Sequence, residues 1–211
     1  ATGTNGKTTI TQWIAASYPA KCGIVGTLGA GYKNDLVDTG LTTPGAVGLA
    51  RYLARFCEEE AKACALEASS IGIEEGRMDG LKVDVAIFTN LTRDHLDYHQ
   101  SMANYAKAKK KLFAWPSLRL AVINIDDPFG EELAGSTEAS KILVYSQQQT
   151  SHSCHAIVYA KEIEETIRGL RFTLCAPNGR VQVETRLIGR FNISNLLAVA
   201  AVLIDAGLSA S

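Results

Sequence analysis

The chain has 211 residues, with 21 Lys+Arg against 22 Asp+Glu and a formal charge of −1. This balance gives no broad basic field, which excludes a nucleic-acid backbone as the main partner. At 46% hydrophobic residues the sequence is not disordered by composition, and a chain this long buries roughly 70% of its unfolded surface around one good core.

In chain order, Lys7–Tyr18 is predicted to be a helix opened by a glycine loop, and Cys22–Gly26 a short strand. Thr43 before Pro44 reads as an N-cap followed by proline at N1, starting a helix that runs to about Glu60. Ala63–Ala68 and Val83–Thr89 are buried strands. Ser101 caps a helix through Phe113, Leu120–Asn124 is a strand, Asp127-Pro128 opens a short helix, and Lys141–Ser146 is the next strand. Strands alternating with helices predict an α/β fold: a mostly parallel sheet with helices on both faces. From His155 to Arg186 the rhythm changes. His155–Ile163, Gly169–Cys175 and Gly179–Thr185 read as consecutive strands, with Asn178-Gly179 as a hairpin turn. They are expected to form a small antiparallel appendage on the same domain. A helix, Ile193–Asp205, closes the chain.

No run of about 18 apolar residues occurs, so no membrane-crossing helix is expected. No signal peptide is visible, and the start at Ala1 without an initiator Met suggests a segment removed upstream. The five cysteines are Cys22, Cys57, Cys64, Cys154 and Cys175, an odd number without a C-x-x-C pair. Reduced, buried thiols and a cytoplasmic location are expected. His152, Cys154 and His155 are close in sequence and read as loop residues rather than metal ligands.

The first chemistry lies in Gly3-Thr4-Asn5-Gly6-Lys7-Thr8. Glycines let backbone N–H groups turn inward on phosphate oxygens, and the following helix adds the positive end of its dipole. Lys7 would neutralise the β- and γ-phosphates and Thr8 would offer its hydroxyl to Mg²⁺. The general phosphate-loop pattern places a glycine where this chain has Ala1, so Gly3 makes this a shortened variant. The other reading is an ordinary glycine-rich turn into a helix.

On the helix after Ser101, Met102, Tyr105, Ala106, Lys109, Leu112 and Phe113 share one stripe. Lys109 sits in the middle of it. One account is snorkelling, with the stem on the core and the ammonium in water. The other is a desolvated amine, which loses its charge readily and can add CO₂ to become a carbamate, a carboxylate-like Mg²⁺ ligand. Glu67 and Ser69-Ser70 follow one strand, and Asn90–His99 follows another. Ligands in open parallel sheets sit beyond strand C-terminal ends, so Glu67 and His95 are expected to converge on a metal at the phosphate loop. His95 and His99 also have the spacing of a zinc pair, but no third ligand has zinc-site spacing.

The segments GTNGKTT (Gly3–Thr9), EASS (Glu67–Ser70), NLTRDHLDYH (Asn90–His99), YAKAK (Tyr105–Lys109), NIDDP (Asn124–Pro128) and GRFNISN (Gly189–Asn195) together resemble the ATP-dependent Mur ligases of peptidoglycan synthesis. The likeness runs to about Ala201. Within that family the set is most similar to members that add a diamino acid to UDP-N-acetylmuramoyl-L-alanyl-D-glutamate. The resemblance implies that residues 1–211 form the central ATP-binding domain of three. The domain holding the uridine nucleotide and the one carrying the amino-acid pocket lie outside this chain. It also implies ATP and Mg²⁺ as cofactors, the muramoyl dipeptide and a diamino acid as partners, and an acyl phosphate on the route to the amide.

Residue by residue, the resemblance implies Gly3, Thr4, Asn5, Gly6, Lys7 and Thr8 on the triphosphate, with Asn192 and Asn195 near the adenine. Thr8, Glu67, His95 and a carbamylated Lys109 would hold magnesium, and Lys7, His95 and Lys109 would be catalytic. Thr42, Thr43, Ser69, Glu75 and Arg77 would contact the muramoyl dipeptide. Three positions depart from the family pattern: Leu41 stands where many relatives have Asn, Ile71 where many have His, and Glu75 where many have Gln. Plain structural readings also exist. Thr42-Thr43 and Ser69-Ser70 could be helix caps, Asn192 an N-cap, Asp126-Asp127 a turn, and Arg77 a surface ion pair. A folylpolyglutamate synthetase-like ligase and a non-catalytic nucleotide-binding module are the competing functions.

Overall fold

The computed structural model describes residues 1–148 and 155–210; His152 and Cys154 lie outside them. Two sheets form the frame. The smaller has the order β3-β2-β1-β4, built from β1 (Cys22–Gly26), β2 (Gly29–Tyr32), β3 (Asp35–Val37) and β4 (Ala63–Leu66). The larger has the order β10-β9-β8-β7-β6-β5, from β5 (Val85–Phe88), β6 (Leu120–Asn124), β7 (Lys141–Ser146), β8 (Ala156–Thr166), β9 (Gly169–Ala176) and β10 (Gly179–Thr185). Strands β5 to β8 pair in parallel, whereas β9 and β10 pair antiparallel. Because β8 pairs directly with β7, the expected appendage is the far edge of the main sheet.

Every residue of β6 is buried, because the two faces are covered by different helices. Leu120 and Val122 face the core of α1 (Lys7–Ser17) and α7 (Phe191–Asp205). Ala121 and Ile123 face the core with Leu49 and Phe56 of α2 (Ala46–Glu58) and Ile73 of α3 (Ser70–Glu74). The short helix α4 (Leu96–His99), then α5 (Met102–Lys110), a 3-10 turn (Lys111–Ala114) and α6 (Pro128–Ala134) complete the order.

Of the described cysteines only Cys22 is buried; Cys57 is exposed on α2, against the expectation of buried thiols. Two further local expectations change. Helix α2 starts at Ala46 with Gly45 at its N-cap, so Thr43 does not cap it. The Thr43 hydroxyl instead donates to the Glu67 carbonyl (2.8 Å) and accepts from the Ser69 N–H (2.9 Å). Strands β2 and β3 have no counterpart in the sequence reading. Gly29 and Gly31 weaken the β pattern, yet β3 passes so close that a Cβ on Gly31 would lie 2.1 Å from the Asp35 carbonyl oxygen.

Ala1 and Thr2 suture the two sheets. The Ala1 amine donates to Leu66 O (2.6 Å), and Ala1 O accepts from Ala68 N (2.9 Å). On the other side, Thr2 N donates to Ile87 O (2.8 Å) and Thr2 O accepts from Thr89 N (3.1 Å).

Candidate active site

The loop before α1 owes its shape to the segment after β5. Asn5 N–H donates to Asn90 Oδ1 (2.9 Å), while Asn5 O accepts from Thr89 Oγ1 (2.6 Å) and Asn90 Nδ2 (3.2 Å). Thr4 Oγ1 accepts from Thr92 N (2.9 Å). Gly6 has φ +87°, and a Cβ there would sit 2.6 Å from Asn195 Oδ1, so this turn needs glycine. The result is a cradle at the N-terminus of an 11-residue helix, the arrangement that suits an anion. Lys7 Nζ lies across it, donating to Gly3 O (2.9 Å) and Thr4 O (3.1 Å). Burial lowers the pKa of Lys7, opposed by Glu67 and Asp94.

A cavity of about 450 Å³ opens here, lined by Thr4 to Thr9, Thr27, Leu41, Thr42, Glu67, Ser69, Ile71, Arg77 and His95. Lys7, Thr8, Glu67 and His95, which come from three separate segments, therefore share one space. Glu67 is fully buried, and its carboxylate accepts from Thr8 Oγ1 (2.9 Å), Thr27 N (2.9 Å) and Thr27 Oγ1 (3.2 Å). Gly26 makes the room, since a Cβ there would lie 2.2 Å from Glu67 Oε1. His95 has left-handed backbone, φ 52°, at the N-cap of α4. Such backbone is uncommon for a residue other than glycine and occurs where surrounding contacts over-determine it. Here it turns the imidazole toward the cavity.

The second histidine is committed elsewhere. His99 Nε2 is 2.9 Å from Ser70 Oγ, and its ring stacks on Tyr105 at 5.1 Å. Among the described residues no group of three or more His, Cys, Asp or Glu gathers as a metal site. The donors that do converge are a hydroxyl, a carboxylate and an imidazole. The two oxygen donors, Thr8 and Glu67, fit a hard cation such as Mg²⁺ beside phosphate, and the His95 imidazole lines the same cavity.

Lys109 does not line the cavity. It is 1% exposed, with its ammonium 4.2 Å from the Tyr105 ring centroid. The snorkelling account fails because no part of the side chain reaches open water. Burial, reinforced by the charge of Lys7, pushes the amine down to about 7, with Asp94 opposing. Tyr105 is completely buried, and its hydroxyl lies 3.2 Å from Thr4 Oγ1, so one ring joins Lys109 to the phosphate loop.

Arg77 donates through Nη1 to Thr43 O (2.8 Å) and through Nε to Glu75 Oε2 (2.7 Å). It reaches the cavity, whereas Glu75 stands outside the lining and holds the guanidinium. Thr42 and Ser69 face the cavity, while Thr43 is buried behind it. Ser69 caps α3 by accepting from Gly72 N (3.0 Å). Leu41 and Ile71 both line the cavity and give it an apolar stretch of wall. Asn192 and Asn195 lie in the first turns of α7, whose N-cap is Arg190. Asn192 Nδ2 donates to Ile188 O (2.9 Å), and Asn195 packs against Gly6. Both stand beside the loop but outside the cavity. The sequence reading passed over Thr27; the available signal was a Gly-Thr pair ending a strand next to that of Glu67.

Residues 1–203 match the family described as Mur ligase middle domain. A UDP-N-acetylmuramoyl-L-alanyl-D-glutamate–2,6-diaminopimelate ligase from Ectopseudomonas mendocina is 47% identical over 98% of this chain and 43% of its own length. A solved structure of an enzyme with that name superposes with a TM-score of 0.88 at 37% identity, covering 99% of this chain and 43% of that one. MurF from Acinetobacter baumannii, at 20% identity and a TM-score of 0.72, shares the fold. The chain thus spans about two fifths of the relatives it matches. The match across nearly all of its length shows that this chain belongs to the Mur ligase middle-domain family.

Proposed function

We propose that residues 1–211 are the central ATP-binding unit of a cytoplasmic carboxylate–amine ligase that extends UDP-N-acetylmuramoyl-L-alanyl-D-glutamate by a diamino acid. The observation that carries this reading is the shared cavity of Lys7, Thr8, Glu67 and His95, with the Lys109 amine buried near Lys7. A carboxylate oxygen of the dipeptide attacks the γ-phosphorus of ATP, and ADP leaves. The diamino acid's amine then attacks the acyl carbon, phosphate departs, and the amine's proton passes to solvent. Two anions must meet in the first step, so positive charge at the γ-phosphate is the main requirement. Magnesium, when bound, supplies Lewis-acid polarisation of the phosphoryl oxygens. The loop N–H groups orient the triphosphate and Lys7 neutralises it. Thr8, Glu67 and His95 would hold the cation. Arg77, Thr42 and Ser69 form the wall for the acceptor anion, with Thr43 and Glu75 fixing Arg77 from behind. Asn192 and Asn195 border the nucleoside end.

The Lys109 amine, already inclined to be neutral, is proposed to attack CO₂ and release a proton, giving a carbamate. The product replaces repulsion between two amines with attraction between carbamate and Lys7.

Binding of N-methylanthraniloyl-ATP to the 211-residue chain, followed by fluorescence, should require Mg²⁺. Lys7→Ala should weaken it by about 30-fold, as expected for losing a charge-assisted phosphate contact of about 2 kcal/mol. Magnesium-independent binding, or an unaffected Lys7→Ala variant, would refute the nucleotide site. For the substrate, a thermal shift of the full-length protein with the UDP-muramoyl dipeptide but not with folates is the expected result. The reverse pattern would favour the folylpolyglutamate reading.

A further inference from the structure

We propose that Thr27 is a positioning residue that holds the metal-facing carboxylate of Glu67 and couples it, through Thr42, to the acceptor side of the cavity. This rests on the nucleotide site proposed above. Glu67 accepts three hydrogen bonds, one from Thr8 Oγ1 and two from Thr27, through its N–H (2.9 Å) and its hydroxyl (3.2 Å). A Thr8 hydroxyl that gives a lone pair to a cation keeps its proton and goes on donating it to Glu67. Thr27 supplies the other two of the three bonds and is the holder that need not itself touch the cation. The Thr27 hydroxyl has one proton, and the carboxylate takes it. The 3.0 Å contact between Thr27 Oγ1 and Thr42 Oγ1 therefore has Thr42 as donor. The polarity runs Thr42 to Thr27 to Glu67. Thr42 lines the same cavity as the phosphate loop, so an acceptor there that draws its proton away weakens the support of Thr27. Gly26 lets this contact form, because any Cβ there would push Glu67 off Thr27.

The test uses the 211-residue chain and N-methylanthraniloyl-ATP, reading the Mg²⁺ concentration at half-saturation. Groups that orient a metal ligand change metal affinity by roughly 10- to 100-fold when removed. Thr27→Val keeps the N–H and the shape but removes the hydroxyl, so its Mg²⁺ midpoint should rise about 10-fold. Thr27→Ser should restore it. Thr42→Val should produce a smaller rise, and the double variant should match Thr27→Val alone, because Thr42 acts through Thr27. Thr27 is exposed in a turn, so the variants should stay folded, with Thr27→Val melting lower by no more than the one lost bond to the buried carboxylate. A Thr27→Val midpoint equal to wild type, a loss that Ser does not rescue, or additive effects would overturn the proposal. If the wild-type chain fails to bind nucleotide, the nucleotide site falls first and this inference with it.

Discussion

Replacing Lys109 with methionine is expected to make the isolated chain more stable and a full-length ligase built on it inactive. The amine is 1% exposed and held at about 7 rather than 10.5. A base whose folded pKa is depressed destabilises the fold progressively as pH falls from the unfolded value, and fully below the folded one. That shift corresponds to at most about 5 kcal/mol below pH 7, and the Tyr105 ring is already part of the environment. Methionine has similar length, fills the same space and carries no charge. A gain of about 2 kcal/mol at pH 6, vanishing near pH 10.5, is the expected outcome of denaturant titration in CO₂-free buffer. Catalysis should move the other way. Lys109→Met, like Lys109→Ala, removes the proposed carbamate and should lower kcat of the full-length enzyme on the order of 1,000-fold. Formate or acetate should restore part of the Lys109→Ala loss by standing in for the missing carboxylate. Ordinary turnover in either variant would exclude the carbamate.

Gly3→Ala should abolish nucleotide binding more thoroughly than any single charge removal. Gly3 has φ +152°, and a Cβ there would lie 1.7 Å from Thr89 Oγ1. Thr89 is buried, and its hydroxyl supports the Asn5 carbonyl at 2.6 Å, so moving it unseats the loop. Backbone strain and overpacking together should destabilise the chain by about 3 kcal/mol and weaken nucleotide binding by at least about 100-fold. Gly48→Ala is the matched control. It lies inside α2, where a Cβ meets nothing closer than 3.8 Å, and should stabilise the chain by about 0.5–1 kcal/mol. Calorimetry and fluorescence titration on both variants decide the point. A Gly3→Ala chain that binds nucleotide normally would mean the loop tolerates a different path.

The chemistry-bearing motifs were legible before any fold was known. Gly-Lys-Thr ahead of a helix, a carboxylate after one strand and a histidine after the next are local patterns; that β4 and β5 end side by side although they belong to different sheets is the work of Ala1 and Thr2, which pair with both. Lys109 was legible as an anomaly because a lysine in an apolar stripe breaks the helical period. Its meaning was not, since spacing alone does not say whether an ammonium reaches water. Only packing against Tyr105 and proximity to Lys7 decide that, because desolvation depends on neighbours remote in sequence. Thr43 shows the same limit. Its position before Pro44 satisfies the rule for a cap, but hydrogen bonds to Glu67 and Ser69, more than twenty positions away, claim its hydroxyl first.

The residue order of this chain determined its family, its alternation of strands and helices, and the short segments that supply phosphate and metal donors, because each depends on neighbours within a few positions. The tertiary structure alone decided that β8 to β10 extend the main sheet, that β2 and β3 exist, that Thr27 grips Glu67, and that Lys109 is dry. Those outcomes depend on backbone edges and charges that meet across dozens of residues, and no local pattern encodes such a meeting.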